Sequence, residues 1–318
     1  MNAPLRSKTV LITGGTAGIG RETARGLARL GAHVIVVGRD PDRARATAAE
    51  LTRDAHRTDG ARTGHPPTGR RPHNAAARAT ALTADVSSSA DLRRLAEEVA
   101  RRHDRIDVLI NNAGGMNSHR RLTADGVEAT FAVNVLAPYT LTGLLLPLLT
   151  AAAEHGGARV VNLTGGMPDG PIDPDNLQGE KTYLGWTFSQ YNHAKTALMA
   201  MSLQAARRLQ GTAITVNVAY PGHAHTPGNR ALAMRAFPYA YRPAVPLLRL
   251  LGPLLLADLA KAARSSVHLA SSPDLENVTG TYVNAKAQYA HWPASVLDQH
   301  NRDAVWTLCE RLSRLTIP

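Results

Sequence analysis

Short apolar runs alternate with longer amphipathic segments along most of this chain. The first run, TVLITGG (9–15), ends in glycines, and the next segment, IGRETARGLARLGA (19–32), has the apolar spacing of an amphipathic helix. HVIVVGRD (33–40) then predicts a second strand. Repetition of this strand–helix–strand order predicts a mostly parallel sheet with helices on both faces.

The pattern predicts seven strands, which right-handed crossovers would join into a doubly wound α/β sheet of the Rossmann type. No internal repeat or linker interrupts it, so we interpret residues 1–318 as a single domain. The five strands that follow the two named above are expected within 79–87, 107–115, 158–166, 212–222 and 280–285.

Two segments depart from this pattern. Residues 53–78 hold six arginines and three histidines with few apolar side chains, which predicts a basic, mobile insertion. Residues 223–262 are apolar and include Phe237, which favours a segment that covers a large apolar substrate. Core packing or subunit packing would give the same composition.

The formal net charge of +11 raises the possibility of a nucleic-acid partner. Much of the excess lies within 53–78, where no aromatic residues are interleaved for base stacking, so we predict no such partner. Cys309 is the only cysteine, which excludes an internal disulfide and a cysteine-based zinc site. His223 and His225 have the spacing of two metal ligands, but no third ligand stands out, and we predict no metal.

The location of the protein is predicted from its apolar segments. No apolar run precedes the first strand, so no secretory signal is expected. No stretch reaches the roughly 18–20 apolar residues that a membrane-spanning helix requires. We therefore expect a cytoplasmic protein without stable membrane insertion.

The segment TGGTAGIG (13–20) places Gly14, Gly18 and Gly20 between the first strand and the first helix. Glycines at these positions permit a tight turn and let a dinucleotide pyrophosphate approach the free N–H groups of the helix. At the tip of the second strand, Arg39 offers a charged, planar group suited to a 2′-phosphate, which favours NADP over NAD. The alternative is that Arg39 is only a solvated strand-end residue beside Asp40.

The segment YNHAK places Tyr191 and Lys195 four residues apart, on one face of a predicted helix. A free tyrosine has a pKa of about 10. Proton transfer near neutrality would need a pKa lower by roughly two to three units, and a nearby ammonium favours the phenolate. The pair is common on helices, and it indicates catalysis only in combination with the glycine turn.

Further motifs occur in a consistent order: Asp85 in ADVS, NNAG at 111–114, Asn134 in VNV and PGHAHT at 221–226. Together with the glycine turn and YNHAK, these motifs show that the chain resembles the classical short-chain dehydrogenase/reductase family over nearly its full length. Within that family it is most similar to the retinol-dehydrogenase-like branch. This resemblance implies a bulky apolar carbonyl or alcohol substrate and a homodimer or homotetramer.

The resemblance also implies roles for individual residues. Tyr191 would be the general acid/base, Lys195 would bind the nicotinamide ribose and lower the tyrosine pKa, and Asn134 would hold a water in a proton relay. Asn111 and Ala113 would line the adenosine side of the cleft, although asparagines also simply tie strand ends. Cofactor contacts are expected at Gly14, Thr16, Gly18, Ile19, Gly20, Arg39, Asp85, Val86, Asn112, Ala113, Gly114, Tyr191, Lys195, Pro221, Gly222 and Thr226.

The catalytic serine of the family is missing, because its place is taken by Gly165 in NLTGG. Loss of one hydrogen-bond donor to the substrate oxygen typically costs about 10²–10³ in rate. If the chain bends there, the hydroxyl is supplied by Thr164. Thr164 is therefore a candidate catalytic residue beside Tyr191, Lys195 and Asn134. The other proposed donors are Ser189, Thr187, His223 and His225.

The leading hypothesis is an NADP(H)-dependent ketone or aldehyde reductase, or alcohol dehydrogenase, of this family. Gly165 leaves two alternatives open. One is a redox-neutral enzyme on the same scaffold that performs proton transfer, elimination or cyclisation. The other is an NADP-binding regulator without catalysis.

Overall fold

The computed structural model describes residues 5–63, 79–167, 169–223, 233–247 and 258–318. Its centre is an eight-stranded sheet with the strand order β3-β2-β1-β4-β5-β6-β7-β8. The strands are β1 (Thr9–Thr13), β2 (His33–Gly38), β3 (Ala79–Thr83), β4 (Val108–Asn111), β5 (Ala158–Leu163), β6 (Ile214–Ala219), β7 (Tyr282–Val283) and β8 (Tyr289–Ala290).

Strands β1 to β7 pair in parallel, and only β8 is antiparallel to its neighbour. The predicted doubly wound, mostly parallel α/β fold is therefore confirmed. The sequence predicted seven strands and missed β8, whose two residues, one of them the exposed Tyr289, are too few to show an alternating pattern. The order reverses between β1 and β4, and ligands of such sheets bind at the carboxyl ends of the strands beside this point.

Helices cover both faces of the sheet. Helices α4 and α5 are joined by a π-helical turn, Ala132–Leu136. The helices are α1 (Gly18–Arg29), α2 (Pro41–Thr63), α3 (Ser89–Arg102), α4 (Ala129–Phe131), α5 (Ala137–Leu144), α6 (Leu146–Ala153), α7 (Gln190–Arg208), α8 (Leu259–Ala262), α9 (Arg264–Ser271), α10 (Ala294–Leu297) and α11 (Gln299–Ser313).

The strands bury both of their faces. In β1, Leu11 packs into one apolar cluster, whereas Val10 and Ile12 pack into the other. This follows from the alternation of side chains along a strand. Because both faces are covered by helices, β1 appears in the sequence as a continuous apolar run.

Helix α7 packs against β5 and β6 of the sheet and also against α11. Trp306 of α11 is buried, lies edge-on to Tyr139 with ring centroids 4.9 Å apart, and carries the Arg208 guanidinium over its ring. Most residues of α7 are buried as a result. This packing fixes the position of any functional group on that helix.

The two segments that departed from the strand–helix pattern are described only in part. The backbone of α2 is helical to Thr63, so the first residues of the segment 53–78 continue this helix, and 64–78 lie outside the described residues. Of 223–262, the described residues include two 3₁₀ helices, Met234–Ala236 and Tyr239–Ala244. Residues 224–232 and 248–257 lie outside the described part of the chain.

Among the described residues, no single helix is both long enough and apolar enough to cross a membrane. The helical stretch Ala129–Leu144 and the helix Leu146–Ala153 reach that length only together, and they are bent by 58° where they meet.

Candidate active site

The glycine turn between β1 and α1 depends on close contacts that exclude side chains. Gly14 has a φ of +64°, a conformation that favours glycine. A Cβ on Gly20 would lie 2.3 Å from both the Gly14 carbonyl oxygen and Asn112 Nδ2. Ala17, the N-cap of α1, contributes no side-chain cap. The positive end of α1 is thus presented at the turn, an arrangement suited to a phosphate.

Two asparagines at the end of β4, Asn111 and Asn112, are engaged within the protein. Asn112 Nδ2 donates to the carbonyl oxygens of Thr13, at 2.9 Å, and Gly14, at 3.1 Å. Asn111 Nδ2 donates to Asn162 Oδ1 at 2.8 Å. The structure thus assigns Asn112 to holding the glycine turn and Asn111 to tying β4 to β5. The Asn112 side chain thus bonds backbone carbonyls of the turn, and the Asn111 side chain bonds the side chain of Asn162.

Thr16 and Arg39 lie together at the tip of β2. A Cβ on Gly38 would lie 2.5 Å from Thr16 Cγ2, so glycine is needed for this approach. The Arg39 side chain is exposed and forms no hydrogen bond or ion pair within the described residues. The neighbouring Asp40 accepts from the backbone N–H groups of Arg43 and Asp42, which hold its pKa below the usual value. Asp40 therefore caps α2.

Asp85 and Val86 follow β3. The Asp85 carboxylate accepts from the backbone N–H of Ser87 at 3.0 Å and from its hydroxyl at 2.8 Å. Val86 is buried and, with Ala113 and Asn111, lines a narrow cleft beside the end of β1. Asp85 and Val86, the predicted adenine contacts, thus lie at the same edge of the sheet as the glycine turn.

Tyr191 and Lys195 meet the carboxyl end of β5 from the first turns of α7. Lys195 Nζ donates to the Leu163 carbonyl oxygen at 2.8 Å. The Tyr191 hydroxyl lies 2.8 Å from the position that a Cβ on Gly165 would take. Tyr191 and Lys195 therefore face the place of the missing serine.

The electrostatics of this pair differ from the sequence expectation. Burial, with a smaller contribution from Tyr220, raises the pKa of Tyr191 to about 12. Burial also lowers the pKa of Lys195 to about 7. Low-dielectric surroundings disfavour the charged forms of both groups. Burial thus acts against the lowered pKa of Tyr191 that the sequence analysis called for.

Asn134 lies in the π-helical turn between α4 and α5. Its Nδ2 donates to the carbonyl oxygens of Gly115, at 2.7 Å, and Thr130, at 2.8 Å. A Cβ on Gly114 would lie 2.9 Å from Asn134 Oδ1 and 3.2 Å from Lys195 Nζ. The amide and the ammonium thus converge on one glycine, and isolated π turns of this kind are frequent at functional sites.

Thr164 does not replace the missing serine. Its hydroxyl donates to the Lys195 carbonyl oxygen at 3.2 Å, and its side chain is buried against α7. Thr164 follows the end of β5 and its hydroxyl is held on the backbone of α7, whereas the Cβ position of Gly165 faces the Tyr191 hydroxyl. The proposal that a bend turns Thr164 toward the substrate is therefore wrong for this structure.

The other proposed donors have varied surroundings. Ser189 is buried at the start of α7, and Thr187 is exposed. His223 Nε2 lies 3.3 Å from the Tyr220 hydroxyl. Pro221 and Gly222 follow Tyr220, and His225 and Thr226 lie outside the described residues. Within the described residues, no group of three or more potential ligands is placed to bind a metal.

Sequence reasoning did not identify two residues near this cleft. His193 is buried, and its Nε2 accepts from the backbone N–H of Asp173 at 2.9 Å. Tyr220 was passed over, although its hydroxyl donates to the Gly166 carbonyl oxygen at 3.2 Å. Its position directly after β6, at the carboxyl edge of the sheet, was the signal that would have found it.

Two loops form a wall beside the cleft. The backbone N–H of Ala240 donates to the Trp186 carbonyl oxygen at 2.9 Å. Tyr241 reaches across to Met167, with 3.5 Å between its hydroxyl and the sulfur. Trp186 is 72% exposed, so one of these loops presents unburied apolar surface.

A family model described as short chain dehydrogenase matches residues 8–63 and 68–235. The chain belongs to the short-chain dehydrogenase family. This is a family of oxidoreductases, and the match includes both the glycine turn and the Tyr191–Lys195 pair. The resemblance drawn from the sequence motifs is therefore confirmed.

The retinol-dehydrogenase-like branch is supported by curated relatives. The chain is 33% identical to mouse retinol dehydrogenase 14 over 307 residues, which cover 96% of this chain and 86% of that protein. It is also 34% identical to DnrU of Streptomyces sp. (strain C5), a protein named for daunorubicin C-13 ketoreductase activity. The 278 matched residues cover 87% of this chain and 83% of that protein. Among solved structures, the Pseudomonas aeruginosa RhlG/NADP complex has a TM-score of 0.63 at 27% identity, covering 90% of this chain and 97% of that one.

Proposed function

We propose that this protein is an NADP(H)-dependent oxidoreductase that interconverts an apolar ketone or aldehyde and its alcohol. The observation that carries the proposal is the convergence of Tyr191, Lys195 and Asn134 at the carboxyl ends of β4 and β5. This cluster lies beside a turn that excludes side chains and presents the positive end of α1. Together they provide an acid/base group and a dinucleotide site in one cleft.

The residues present fit a nicotinamide dinucleotide with a 2′-phosphate. The turn around Gly14 and Gly20 would hold the pyrophosphate against α1, and Val86 and Ala113 would line the adenine side. Arg39 and Thr16 would receive the 2′-phosphate, because Arg39 is exposed and lacks a partner within the described residues. RhlG, a structural neighbour, was solved with NADP. When bound, the nicotinamide supplies or accepts the hydride.

The residues of this chain handle the proton. Tyr191 would donate it to the carbonyl oxygen in reduction and remove it in oxidation. Lys195, as the ammonium, favours the phenolate of Tyr191 and would hold the nicotinamide ribose hydroxyls. Asn134 would hold the water that resupplies the proton.

An apolar substrate is supported by the wall of the cleft. Tyr241 and Met167 present aromatic and thioether surface next to Gly166, whose Cβ position would lie 3.2 Å from the Tyr191 ring. The relatives described above are named for retinol and for daunorubicin. We therefore infer a bulky apolar carbonyl compound or alcohol as the substrate class.

The proposal is tested by NADPH oxidation with a panel of apolar aldehydes and ketones, and by Tyr191→Phe. We expect turnover by the wild type and a loss in kcat of at least about 10²-fold in the variant, since a positioned acid/base group contributes about 10²–10⁴. Tyr289→Phe, at an exposed position on β8, is the matched control and should leave turnover unchanged. Full turnover by Tyr191→Phe would exclude Tyr191 as the acid/base.

The absent side chain at Gly165 favours a second candidate, a redox-neutral enzyme on the same scaffold. It predicts product formation without net change in the cofactor. Incubation of the panel with catalytic amounts of NADP⁺ or NADPH, followed by mass spectrometry of the products, separates the two candidates. Stoichiometric NADPH consumption supports reduction, and a product of unchanged oxidation state supports the alternative.

A further inference from the structure

Two phenols from different parts of the chain approach the same pair of glycines. Tyr191, on α7, has its hydroxyl 2.8 Å from the Cβ position of Gly165. Tyr220, directly after β6, donates from its hydroxyl to the carbonyl oxygen of Gly166 at 3.2 Å. After burial, the nearby Tyr220 is the second cause of the raised Tyr191 pKa, which agrees with this proximity.

The cleft has an acid/base group but lacks the second donor that normally accompanies it. Gly165 carries no side chain, and Thr164 points into α7, where its hydroxyl is bonded to the Lys195 carbonyl. A carbonyl oxygen that gains negative charge is stabilised best by donors fixed in place before the reaction. The structure therefore leaves one donor to be supplied by another part of the cleft wall.

Tyr220 is held firmly enough to act as such a donor. Its backbone N–H donates to the Val283 carbonyl oxygen at 2.8 Å, and its own carbonyl oxygen accepts from the Ser265 hydroxyl at 3.0 Å. These bonds fix it to β7 and α9. Burial and the nearby Asp169 raise its pKa above the usual value, so the phenol keeps its proton at neutral pH.

The present contacts of the Tyr220 hydroxyl leave it available. It donates its one proton to the Gly166 carbonyl oxygen at 3.2 Å, and His223 Nε2 lies 3.3 Å away. Both distances lie at the long end for bonds made by a hydroxyl group. A substrate oxygen that develops charge is a stronger acceptor than the Gly166 carbonyl, since charge-assisted bonds are about twice as strong as neutral ones.

We propose that Tyr220 donates to the substrate oxygen the hydrogen bond that a serine at position 165 would otherwise provide. This inference rests on the proposed function, because it needs a carbonyl substrate held beside Tyr191. The proton transferred in the reaction still comes from Tyr191. Tyr220 keeps its own proton and only shares it with the oxygen.

The first test is Tyr220→Phe, which removes one oxygen atom and keeps the ring. We expect kcat to fall by about 10²–10³, the usual effect of losing one such donor, with the NADPH dissociation constant unchanged. Tyr289→Phe is again the control. Wild-type kcat in Tyr220→Phe would overturn the inference, as would a loss fully explained by weaker NADPH binding or a lower melting temperature.

The second test asks whether a hydroxyl at position 165 substitutes for Tyr220. Gly165→Ser and Gly165→Ala introduce the same Cβ, which must displace the Tyr191 hydroxyl slightly, but only serine adds a donor. In the Tyr220→Phe background, Gly165→Ser should recover at least about tenfold in kcat over Gly165→Ala. In the wild-type background the two should differ much less. If the ratio of kcat between Gly165→Ser and Gly165→Ala is the same in both backgrounds, Tyr220 and position 165 act independently, and the inference is wrong.

A third measurement does not depend on turnover. Decanamide labelled with ¹³C at its carbonyl is an apolar amide that cannot be reduced here, and its infrared carbonyl band reports hydrogen bonds to the oxygen. With NADP⁺ present, the band of the bound amide should move to higher wavenumber in Tyr220→Phe and stay in place in Tyr289→Phe. An unmoved band, or an amide that does not bind to the wild type, would refute the inference. If the band moves but wild-type protein oxidises no NADPH, only the proposed function fails.

Discussion

The two halves of the cleft are built in different ways. The half around the glycine turn is the proposed cofactor half, and the backbone of β1, α1 and β4 leaves no space there for side chains. An added Cβ at Gly20 would lie 2.3 Å from the Gly14 carbonyl oxygen and from Asn112 Nδ2. On the side of Tyr191, the proposed substrate half, the surface is made by side chains from separate segments, including Met167, Tyr220 and Tyr241. The first half tolerates almost no change, whereas the second can be altered by exchanging single side chains.

The sharpest test of this comparison is Gly20→Ala. A Cβ there meets the Gly14 carbonyl and Asn112 Nδ2, so the turn or the start of α1 must move. We expect loss of measurable NADPH binding, or a fall of at least about 2 kcal/mol in the free energy of unfolding, as is typical of overpacking and backbone strain. Isothermal titration with NADPH and urea unfolding measure the two quantities.

Gly26→Ala is the control on the same helix. Its Cβ would lie 3.0 Å from a methyl group of Val267, which a small shift relieves, and alanine is favoured over glycine in a helix by about 1 kcal/mol. NADPH binding should stay at the wild-type level. If Gly20→Ala behaves like Gly26→Ala, the glycine turn is not the rigid part of the cleft.

Lys195 lies where the two halves meet and gives the next largest expected effect. Its pKa is about 7 in the folded chain against 10.5 ordinarily, so between these values the unfolded chain binds a proton that the folded chain does not. The free energy of unfolding should therefore rise as pH increases from 7 to 10.5. The upper bound is about 5 kcal/mol, at about 1.36 kcal/mol per pKa unit.

Lys195→Met should remove this pH dependence while abolishing turnover. At pH 7 the variant should be the more stable protein, although the Leu163 carbonyl, which accepts from Lys195, loses its partner at a cost of about 1–3 kcal/mol. Urea unfolding of both proteins between pH 7 and pH 10 gives the difference. A difference that stays constant with pH would show that Lys195 titrates in the folded chain as it does in water.

The placement of the residues around the glycine turn could be predicted from sequence, because it depends only on local order along the chain. Gly14, Arg39 and Asp85 each lie at the end of a predicted strand, and parallel strands bring their carboxyl ends to one edge. The pair Tyr191 and Lys195 needed only helical periodicity. What spacing did not reveal was that Asn112 turns toward the backbone, because this depends on the exact path of the turn.

The substrate half could not be predicted to the same degree, because its side chains meet only in the folded chain. Whether Thr164 or Gly165 faces the cleft depends on whether alternation continues past the end of β5. The burial of His193 could not be predicted from spacing, because its contact with Asp173 comes from a separate loop. Tyr220 shows no motif of its own, and its approach to Gly166 follows from the pairing of β5 with β6.

The smallest expected effect concerns Arg39, on the exposed edge of the otherwise rigid half. Arg39→Ala should raise the dissociation constant of NADPH about tenfold and leave that of NADH nearly unchanged, since a charged hydrogen bond contributes about 1.5–3 kcal/mol and exposure reduces it. Arg43→Ala, an exposed arginine beside Asp40, is the control. Fluorescence titrations at low and high salt give a second criterion, because the Arg39 contribution should weaken as screening increases. Equal losses for NADPH and NADH would place Arg39 away from the 2′-phosphate and would show that the edge of the cofactor half is no more specific than its surroundings.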